Sequence, residues 1–338
     1  MNKIFNVIWS ESAGKWVVTS ELTREGGQRP RQIRRTALAG VIAGILMQAT
    51  PVMATDYNGE TLDEDITMDL YDGDTATSTT INSGGRQFIS SGGSATSTTI
   101  NGGGGQFISS GGSATSTINN GYQLVRSGGS ATSTTISSSG IQDVSSGGSA
   151  TSTTISGGRQ MLFGGNATST TINGGRQTVF NGGNATSTTI SVGEQDVSSG
   201  GSATSTTING GRQTVFGGGS ATSTTINSGG KQFVQSASVT DTTINNGGVM
   251  RIFNGTATDI TINAGGLAAI EDDGKILGDE ITNNGHLHFL NNSAAIYTGD
   301  LTGTGDLKVD GGNLVLSGTL SQDGGVSIVN SGTMVMDN

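Results

Sequence analysis

The sequence predicts an all-β protein, a parallel β-helix or β-solenoid of about 11 regular coils of 17–19 residues with a less regular C-terminal continuation. Three observations predict this fold. A block reading Ala-Thr-Ser-Thr-Thr-Ile recurs at this spacing, and a Gly-rich turn follows each block. The chain of 338 residues contains 58 glycines but few aromatic (4%) or charged (12%) residues. Because one such unit cannot bury its own apolar face, neighbouring units must stack.

The first 54 residues are predicted to be an export signal. Four arginines in residues 29–35 precede an apolar run at residues 37–47, and small residues then predict cleavage between Ala54 and Thr55. The alternative is a membrane anchor. As a helix the apolar run would span only about 16 Å, against about 30 Å of membrane hydrocarbon. A signal peptide is therefore favoured.

The repeat blocks keep their phase along the chain. Their first residues are Ala76, Ala95, Ala114, Ala131, Ala150, Ala167, Ala185, Ala203, Ala221, Val239 and Ala257. Each block ends in an isoleucine that is predicted to point inward: Ile81, Ile100, Ile118, Ile136, Ile155, Ile172, Ile190, Ile208, Ile226, Ile244 and Ile262. Because Thr and Ile favour extended backbone, each block is predicted to be one strand of five or six residues, with Gly at the corners.

A second segment follows each turn and reads Arg-Gln-Phe-Ile at residues 86–89. The position of Ile89 is aliphatic in every coil whereas the position before it varies, so the aliphatic side chains are predicted to face inward. Glutamine recurs two residues earlier, on the same face. At a strand spacing of about 4.8 Å these amides can bond one another. A structural ladder is predicted at Gln87, Gln106, Gln123, Gln142, Gln160, Gln177, Gln195, Gln213 and Gln232.

The phase of the blocks sets the domain organisation. Residues 1–54 are the signal peptide, 55–74 a predicted N-terminal cap or linker, and 75–264 the regular β-helix. From residue 265 to 338 the strict repeat fades. Short apolar segments between Gly, Asn and Asp turns nevertheless predict a degenerate continuation of the same solenoid.

Composition and acid placement argue against several functions. The chain has no cysteine and a net charge of −10, so neither thiol chemistry nor electrostatic binding of nucleic acid is expected. Some β-helices are polysaccharide lyases or hydrolases, which need convergent carboxylates. The acids of the repeats are instead scattered, at Asp143, Glu194, Asp196, Asp241 and Asp259. No catalytic residue and no cofactor is predicted, and an enzyme remains a low-ranked alternative.

Two further alternatives concern metal ions and ice. His286 and His288 would share a strand face, but no third ligand is evident near them in the sequence, so they are interpreted as a surface pair and no metal site is predicted. Ice binding would use outward Thr-x-Thr ladders. Either Thr77 and Thr79 or Ser78 and Thr80 would have to point outward in the first block.

The residues before Arg24, with Asn6, Trp9 and the Gly-Lys-Trp step at 14–16, resemble the extended signal-peptide region of Gram-negative autotransporters. The Ser-Ser-Gly-Gly-Ser-Ala-Thr-Ser-Thr-Thr-Ile phrase at residues 90–100 resembles the passenger repeats of AIDA/Tib-type self-associating adhesins. The resemblance implies a right-handed β-helix, export through the Sec machinery, and display at the cell surface. It also implies adhesion to host surfaces, and autoaggregation and biofilm formation through other copies of the protein on neighbouring cells.

The resemblance further implies that a dedicated heptosyltransferase adds heptose to passenger serines. The positions that match its Gly-Gly-Ser-Ala corner are Ser94, Ser113, Ser130, Ser149, Ser202 and Ser220. The alternative is that these serines only form turns. Asn166 and Asn184 stand at the same corner in two coils, which would then be skipped.

One feature of the family pattern is missing from the sequence. Autotransporters end in a translocator barrel of over 200 residues, whereas the sequence up to residues 336–338 still reads like passenger sequence. The sequence therefore leaves open a fragment, or a truncated gene whose product would stop in the periplasm without a surface function.

Overall fold

A computed structural model of the chain describes residues 5–10, 15–20 and 53–337. The chain divides into two compact units, Met1–Val52 and Met53–Asn338. In the first unit, β1 (Phe5–Ser10) and β2 (Lys15–Ser20) pair antiparallel, with Trp9 opposite Trp16. The other residues of the predicted signal peptide, up to residue 52, lie outside the described part. No helix long and apolar enough to cross a membrane occurs in the described ranges.

The second unit is a parallel β-solenoid of about 15 turns, more than the 11 regular coils that the sequence predicted because the irregular ends also stack as coils. Each regular coil contributes three short strands, and equivalent strands pair in parallel register with the coils before and after. The coil is thus three-sided, with three columns of strands around one interior.

The columns are defined by these strands. The first column contains β3 (Asp56–Asn58), β6 (Thr75–Thr77), β9 (Ser94–Thr96), β12 (Ser113–Thr115), β15 (Ser130–Thr132), β18 (Ser149–Thr151), β21 (Asn166–Thr168), β23 (Asn184–Thr186), β25 (Ser202–Thr204), β34 (Lys275–Leu277) and β41 (Thr333–Met336). The second column contains β4 (Thr61–Leu62), β7 (Thr80–Ile81), β10 (Thr99–Ile100), β13 (Ile118–Asn119), β16 (Thr135–Ile136), β19 (Thr154–Ile155), β26 (Thr207–Ile208), β35 (Glu280–Asn283), β37 (Asp300–Gly303) and β39 (Leu320–Gln322).

The third column contains β5 (Thr67–Leu70), β8 (Arg86–Ile89), β11 (Gly105–Ile108), β14 (Tyr122–Val125), β17 (Ile141–Ser145), β20 (Arg159–Phe163), β27 (Arg212–Phe216), β29 (Lys231–Gln235), β31 (Val249–Phe253), β33 (Leu267–Glu271) and β40 (Val326–Val329). Seven longer strands continue through a corner and join two columns: β22 (Thr171–Phe180), β24 (Thr189–Val197), β28 (Ser220–Ile226), β30 (Ser238–Ile244), β32 (Thr256–Ile262), β36 (His286–Tyr297) and β38 (Asp306–Leu316).

The repeat block bends, and the prediction of one straight strand per block was wrong. In the first regular coil, Ala76 and Ile81 are both buried, and Ser78 lies between them with a positive φ of 58°. This left-handed residue turns the chain, so the block forms two strands on different sides of the coil. Serine is an uncommon residue for this conformation. Asp241 and Asp259, which occupy the same corner in later coils, are the more usual signal for it.

The block that begins at Ala114 lacks one threonine, and its register differs from the prediction. Thr99 pairs with Ile118, and Ile100 pairs with Asn119. Because side chains alternate between faces, losing one residue turns Ile118 outward and Asn119 inward. Ile118 is 49% exposed and Asn119 is fully buried. The expectation that Ile118 belongs to the core was therefore wrong.

Residues 55–74, expected as a cap or linker, form a complete coil. Their strands β3, β4 and β5 pair in parallel with β6, β7 and β8. Leu62 and Leu70 are buried at the positions that Ile81 and Ile89 occupy in the next coil. The stack therefore begins about one coil earlier than the repeat block indicates.

The paired glycines at the corners have two different roles. Gly92 has a φ of +89°, which side chains rarely adopt. Gly93 lies against the preceding coil, where an added Cβ would be 2.3 Å from the carbonyl oxygen of Leu70. The first glycine permits the turn and the second permits the close stacking of coils.

Candidate functional site

The interior carries a continuous column of glutamine amides along the third column of strands. All nine glutamines predicted for the ladder are fully buried. The Nε2 of Gln106 donates to the Oε1 of Gln87 at 2.8 Å, and each later glutamine donates to its predecessor at 2.6–2.8 Å. Every amide points the same way. The column satisfies polar groups that would be costly to bury unpaired.

A column of threonines lies beside the amides and was missed by the sequence reasoning. Thr153, next to the corner serine of its block, is buried, and its Oγ1 lies 3.4 Å from the Oε1 of Gln142. The Nε2 of Gln160 in turn lies 3.2 Å from the Thr153 Oγ1. The signal was available, because this threonine recurs in ten of the eleven regular blocks, and only the last block has an isoleucine, Ile260, in its place. It was not recognised because the corner before it was not predicted.

The buried threonines decide which of the two candidate pairs for ice binding faces outward. Thr77 is exposed, but Thr79 is fully buried, since the left-handed Ser78 between them interrupts the alternation of faces. The same holds for Thr96 and Thr98 in the next coil. Of the two candidate pairs, Ser78 and Thr80 therefore face outward, Ser78 exposed and Thr80 half-buried, and Thr77 and Thr79 do not both do so.

The six candidate serines for modification begin strands of the first column and form an outward line. Ser113 pairs with Ser94 and with Ser130, and Ser202 pairs with Ser220. All six are half-buried. Asn166 and Asn184 continue the line, with the Nδ2 of Asn184 donating to the Oδ1 of Asn166 at 3.1 Å. The result is a straight row of hydroxyls with two amides inserted.

A second outward line consists of the asparagines that follow the inward isoleucines. The Nδ2 of Asn227 donates to the Oδ1 of Asn209 at 2.7 Å, and Asn245 donates to Asn227 at the same distance. Asn101 and Asn82 make the equivalent bond at 2.8 Å. These bonds hold the amides in register within each run, and Ser137, Ser156 and Ser191 stand at the equivalent position in other coils. The recurring Ile-Asn step was a signal for this line that the sequence reasoning did not use.

Several of the scattered acids are engaged by neighbours in adjacent coils. The Tyr122 hydroxyl donates to Asp143 at 2.8 Å, and burial raises the pKa of Tyr122 to about 12 and also raises the pKa of Asp143. Glu194 contacts Arg176 and accepts from the Nη2 of Arg212 at 2.6 Å. The hydrogen bond from Arg176 is the main cause that lowers the pKa of Glu194. These contacts link coils across an outward face.

The predicted histidine pair has a third partner, which corrects the sequence interpretation. His286 and His288 lie on β36, and the parallel register sets Asp306 of the next coil beside His286. Asp306 contacts the Nδ1 of His286, and its second oxygen lies 3.2 Å from the Nε2 of His288. Asp306 was missed because it is 18 to 20 residues away in sequence, one coil further on.

The predicted signal cleavage site adjoins the first coil. The backbone N–H of Thr55 donates to the Asp74 carboxylate at 2.6 Å, and its carbonyl accepts from Thr75 at 2.9 Å. Ala54 and Thr55 are exposed. Cleavage between them would leave every strand of the solenoid unit in place.

Comparisons with known proteins agree with this geometry. Residues 1–50 match the family described as the extended signal peptide of the type V secretion system. Residues 208–248 match the family described as adhesin of bacterial autotransporter system, probable stalk. An exported solenoid with such a signal defines the class: a passenger of the type V secretion pathway.

Two curated relatives match part of the repeat region. Autotransporter CRAC of Citrobacter rodentium is 64% identical over 93 residues, which make up 27% of this chain and 6% of that protein. The autotransporter adhesin/invasin TibA of Escherichia coli O78:H11 is 58% identical over 92 residues, 26% of this chain and 9% of that protein. The matched segments thus span less than a tenth of either relative.

A solved structure matches over almost its whole length. It is the crystal structure of a TibA fragment, described as hyper-glycosylated by TibC, with a TM-score of 0.68 and 42% identity. The alignment covers 83% of this chain and 99% of that fragment. The chain belongs to the AIDA/Tib-type family of autotransporter passengers, and it is an exported protein of the cell surface or outer membrane.

Proposed function

We propose that the solenoid is the passenger of a self-associating adhesin and that it acts through its outward polar columns. The observation that carries this proposal is the repetition of the same hydroxyl and amide groups at a fixed spacing along the rod. The serine line that includes Ser94 runs from coil to coil in register. The asparagines from Asn209 to Asn263 are also bonded from one coil to the next. Many weak contacts at equal intervals act together, so the affinity grows with the number of coils and needs no deep pocket.

The partners proposed for this rod are other copies of the chain on neighbouring cells and host surfaces. The relative TibA is an adhesin/invasin, which supports such a role, and a non-enzymatic passenger is favoured for the same reason. The Sec machinery would export the chain before display. The net charge of −10 makes nucleic acid an unfavourable partner.

The second part of the proposal is that Ser94, Ser113, Ser130, Ser149, Ser202 and Ser220 carry O-linked heptose. Their half-buried hydroxyls form one outward line, which a transferase could reach along the rod. The TibA fragment is described as hyper-glycosylated, which supports modification of the equivalent face here. A heptosyltransferase would then be a cytoplasmic partner of the chain.

Adhesion can be tested with beads that carry the purified mature rod. We expect the beads to aggregate and the soluble rod to inhibit aggregation in a dose-dependent manner. A rod shortened by three coils, coated at equal density, should aggregate the beads much more weakly. The loss of aggregation should exceed the fraction of the rod length that was removed. Aggregation that is independent of length and insensitive to the soluble rod would contradict the proposal.

Modification can be tested by expressing the chain with and without a TibC-type heptosyltransferase and measuring intact mass. We expect a series of masses that differ by one heptose each. The maximum number of heptoses per chain should fall by up to six when all six serines become alanine. The matched gain-of-function variant changes Asn166 and Asn184 to serine and should add two heptoses. An unchanged number of heptoses in both variants would contradict the assignment and show that other hydroxyls carry the sugar.

A further inference from the structure

The strongest unassigned cluster lies in the C-terminal part of the solenoid. His286 and His288 alternate with buried side chains on β36, and Asp306 opens β38 in the following coil. One ligand atom from each of these three residues lies within 4.8 Å of the other two. Strand alternation places the two histidines on one face, and the parallel register adds the carboxylate. The cluster is thus a direct product of the coil geometry.

The three side chains are the ligand types that a zinc ion prefers. A tetrahedral ion with bonds of about 2.1 Å holds its ligand atoms about 3.4 Å apart. The Asp306 oxygen already lies 3.2 Å from the His288 Nε2, and its other oxygen contacts His286. Small side-chain rotations would therefore replace the two contacts that Asp306 makes with the histidines by three metal bonds. Two imidazoles and one carboxylate suit borderline divalent ions such as Zn²⁺ rather than Ca²⁺ or Mg²⁺.

The surroundings hold the ligands in place and leave room for an ion. The inward neighbours Leu287 and Leu307 are fully buried, which anchors both strands to the core. The side chains of His286 and Asp306 are 50% and 41% exposed, so the outer side of the cluster is open to water.

One nearby cation could oppose metal binding. Lys308 stands beside His288 in the parallel register. Its ammonium, however, lies 2.7 Å from the Asp310 carboxylate, which offsets its charge. The chain as a whole is acidic, with a net charge of −10, which favours the approach of a divalent cation.

We propose that His286, His288 and Asp306 form a surface site for Zn²⁺ or a similar borderline divalent ion. The three residues supply three ligands, and water or an outside donor completes the coordination. This site is independent of the proposed adhesive columns, since its residues belong to neither line. It also joins two successive coils in the irregular part of the solenoid, where the strict repeat has ended.

The test uses the mature chain prepared without a histidine tag. Because the sequence holds two histidines and no cysteine, any imidazole-dependent binding must come from this cluster. Calorimetric titration with Zn²⁺ is expected to give one ion per chain, and Co²⁺ is expected to give visible absorption bands that Zn²⁺ abolishes. Excess Mg²⁺ should not displace either ion.

Three variants separate the site from general attraction to an acidic surface. His288→Ala and Asp306→Asn are each expected to weaken Zn²⁺ binding by about 10-fold or more. The control Asp323→Asn removes an exposed carboxylate outside the cluster and should change the affinity less than about twofold. Circular dichroism checks that each variant keeps its β-structure. Absence of binding at millimolar Zn²⁺, or equal affinity for the wild type and His288→Ala, would overturn the proposal.

Discussion

The Nε2 of Gln160 donates to the Oε1 of Gln142 at 2.6 Å, and both side chains are fully buried. Gln142 donates in turn to Gln123 at 2.6 Å. Each interior glutamine is therefore both donor and acceptor in one column. The last member differs, because the buried Oε1 of Gln232 has no hydrogen-bond partner among the described residues. Position in the column should consequently decide what a substitution costs.

Gln142→Leu is expected to destabilise the solenoid by about 2–5 kcal/mol, since it breaks the buried bonds to Gln160 and Gln123 and leaves both amides only their longer threonine contacts. Gln232→Leu, the matched control at the end of the ladder, should cost about half as much or less, because the orphan oxygen disappears with it. Urea denaturation followed by circular dichroism measures both. An equal decrease in the free energy of unfolding in the two variants would argue against stabilisation by hydrogen bonds between the glutamines.

Asn119→Ala is expected to cost about 1–3 kcal/mol because it removes the partners of two backbone groups. The Nδ2 of Asn119 donates to the carbonyl of Ile141 at 2.8 Å, and its Oδ1 accepts from the N–H of Gly121 at 3.1 Å. The control is the neighbouring Ile118→Thr, which should be neutral within about 0.5 kcal/mol because Ile118 is exposed. If Ile118→Thr destabilised the protein more than Asn119→Ala, Ile118 would be the buried residue, as the repeat alone suggested.

The contrast between Ile118 and Asn119 shows what the sequence could and could not predict. Period and alternation predicted the stacked coils and most of the buried Ile and Val positions, and the resemblance of the signal region and the repeat phrase indicated the family. They could not predict the corner inside each block, because Ser78 is in a conformation that serine seldom adopts. The inward Thr79 follows from this corner, whereas the outward Ile118 follows from the threonine that its block lacks, a signal that the sequence contained but the prediction did not use. The contact of Asp306 with the histidines could not be predicted from the sequence, because it depends on the register between coils that lack the strict repeat. The handedness inferred from the family remains a prediction.

Asp74 should make the first coil sensitive to acid. Its carboxylate accepts from the N–H groups of Thr55 at 2.6 Å and Tyr71 at 3.2 Å, and the bond from Thr55 is the main cause that lowers the pKa of Asp74. A lowered folded-state pKa gives stability that is present above the unfolded value of about 3.9 and is lost as the pH falls through the folded value. The first coil should therefore loosen below about pH 4.

Hydrogen exchange of the Thr75 amide, which donates to the Thr55 carbonyl, reports on this coil. After correction for intrinsic rates, protection in the wild type should fall between pH 5 and pH 3. Asp74→Asn should exchange faster at pH 5 and show little further change. The exposed Asp72→Asn is the control and should behave like the wild type. A wild-type profile that stays flat through this range would refute the assigned role of Asp74.

Removal of whole coils should shorten the rod without unfolding it, because each coil contacts mainly its neighbours. Deleting residues 161–213 joins Gln160 to Thr214 and removes three coils in register, since Gln160 and Gln213 occupy equivalent positions. The rod should lose about 14 Å of length by small-angle scattering and keep its β-sheet spectrum. Deleting residues 161–214 instead is the control. It joins Gln160 to Val215, which turns Val215 outward and brings the bulky Phe216 into the core. This variant should melt at a clearly lower temperature than the in-register deletion, whereas global unfolding of both would contradict a solenoid of separable coils.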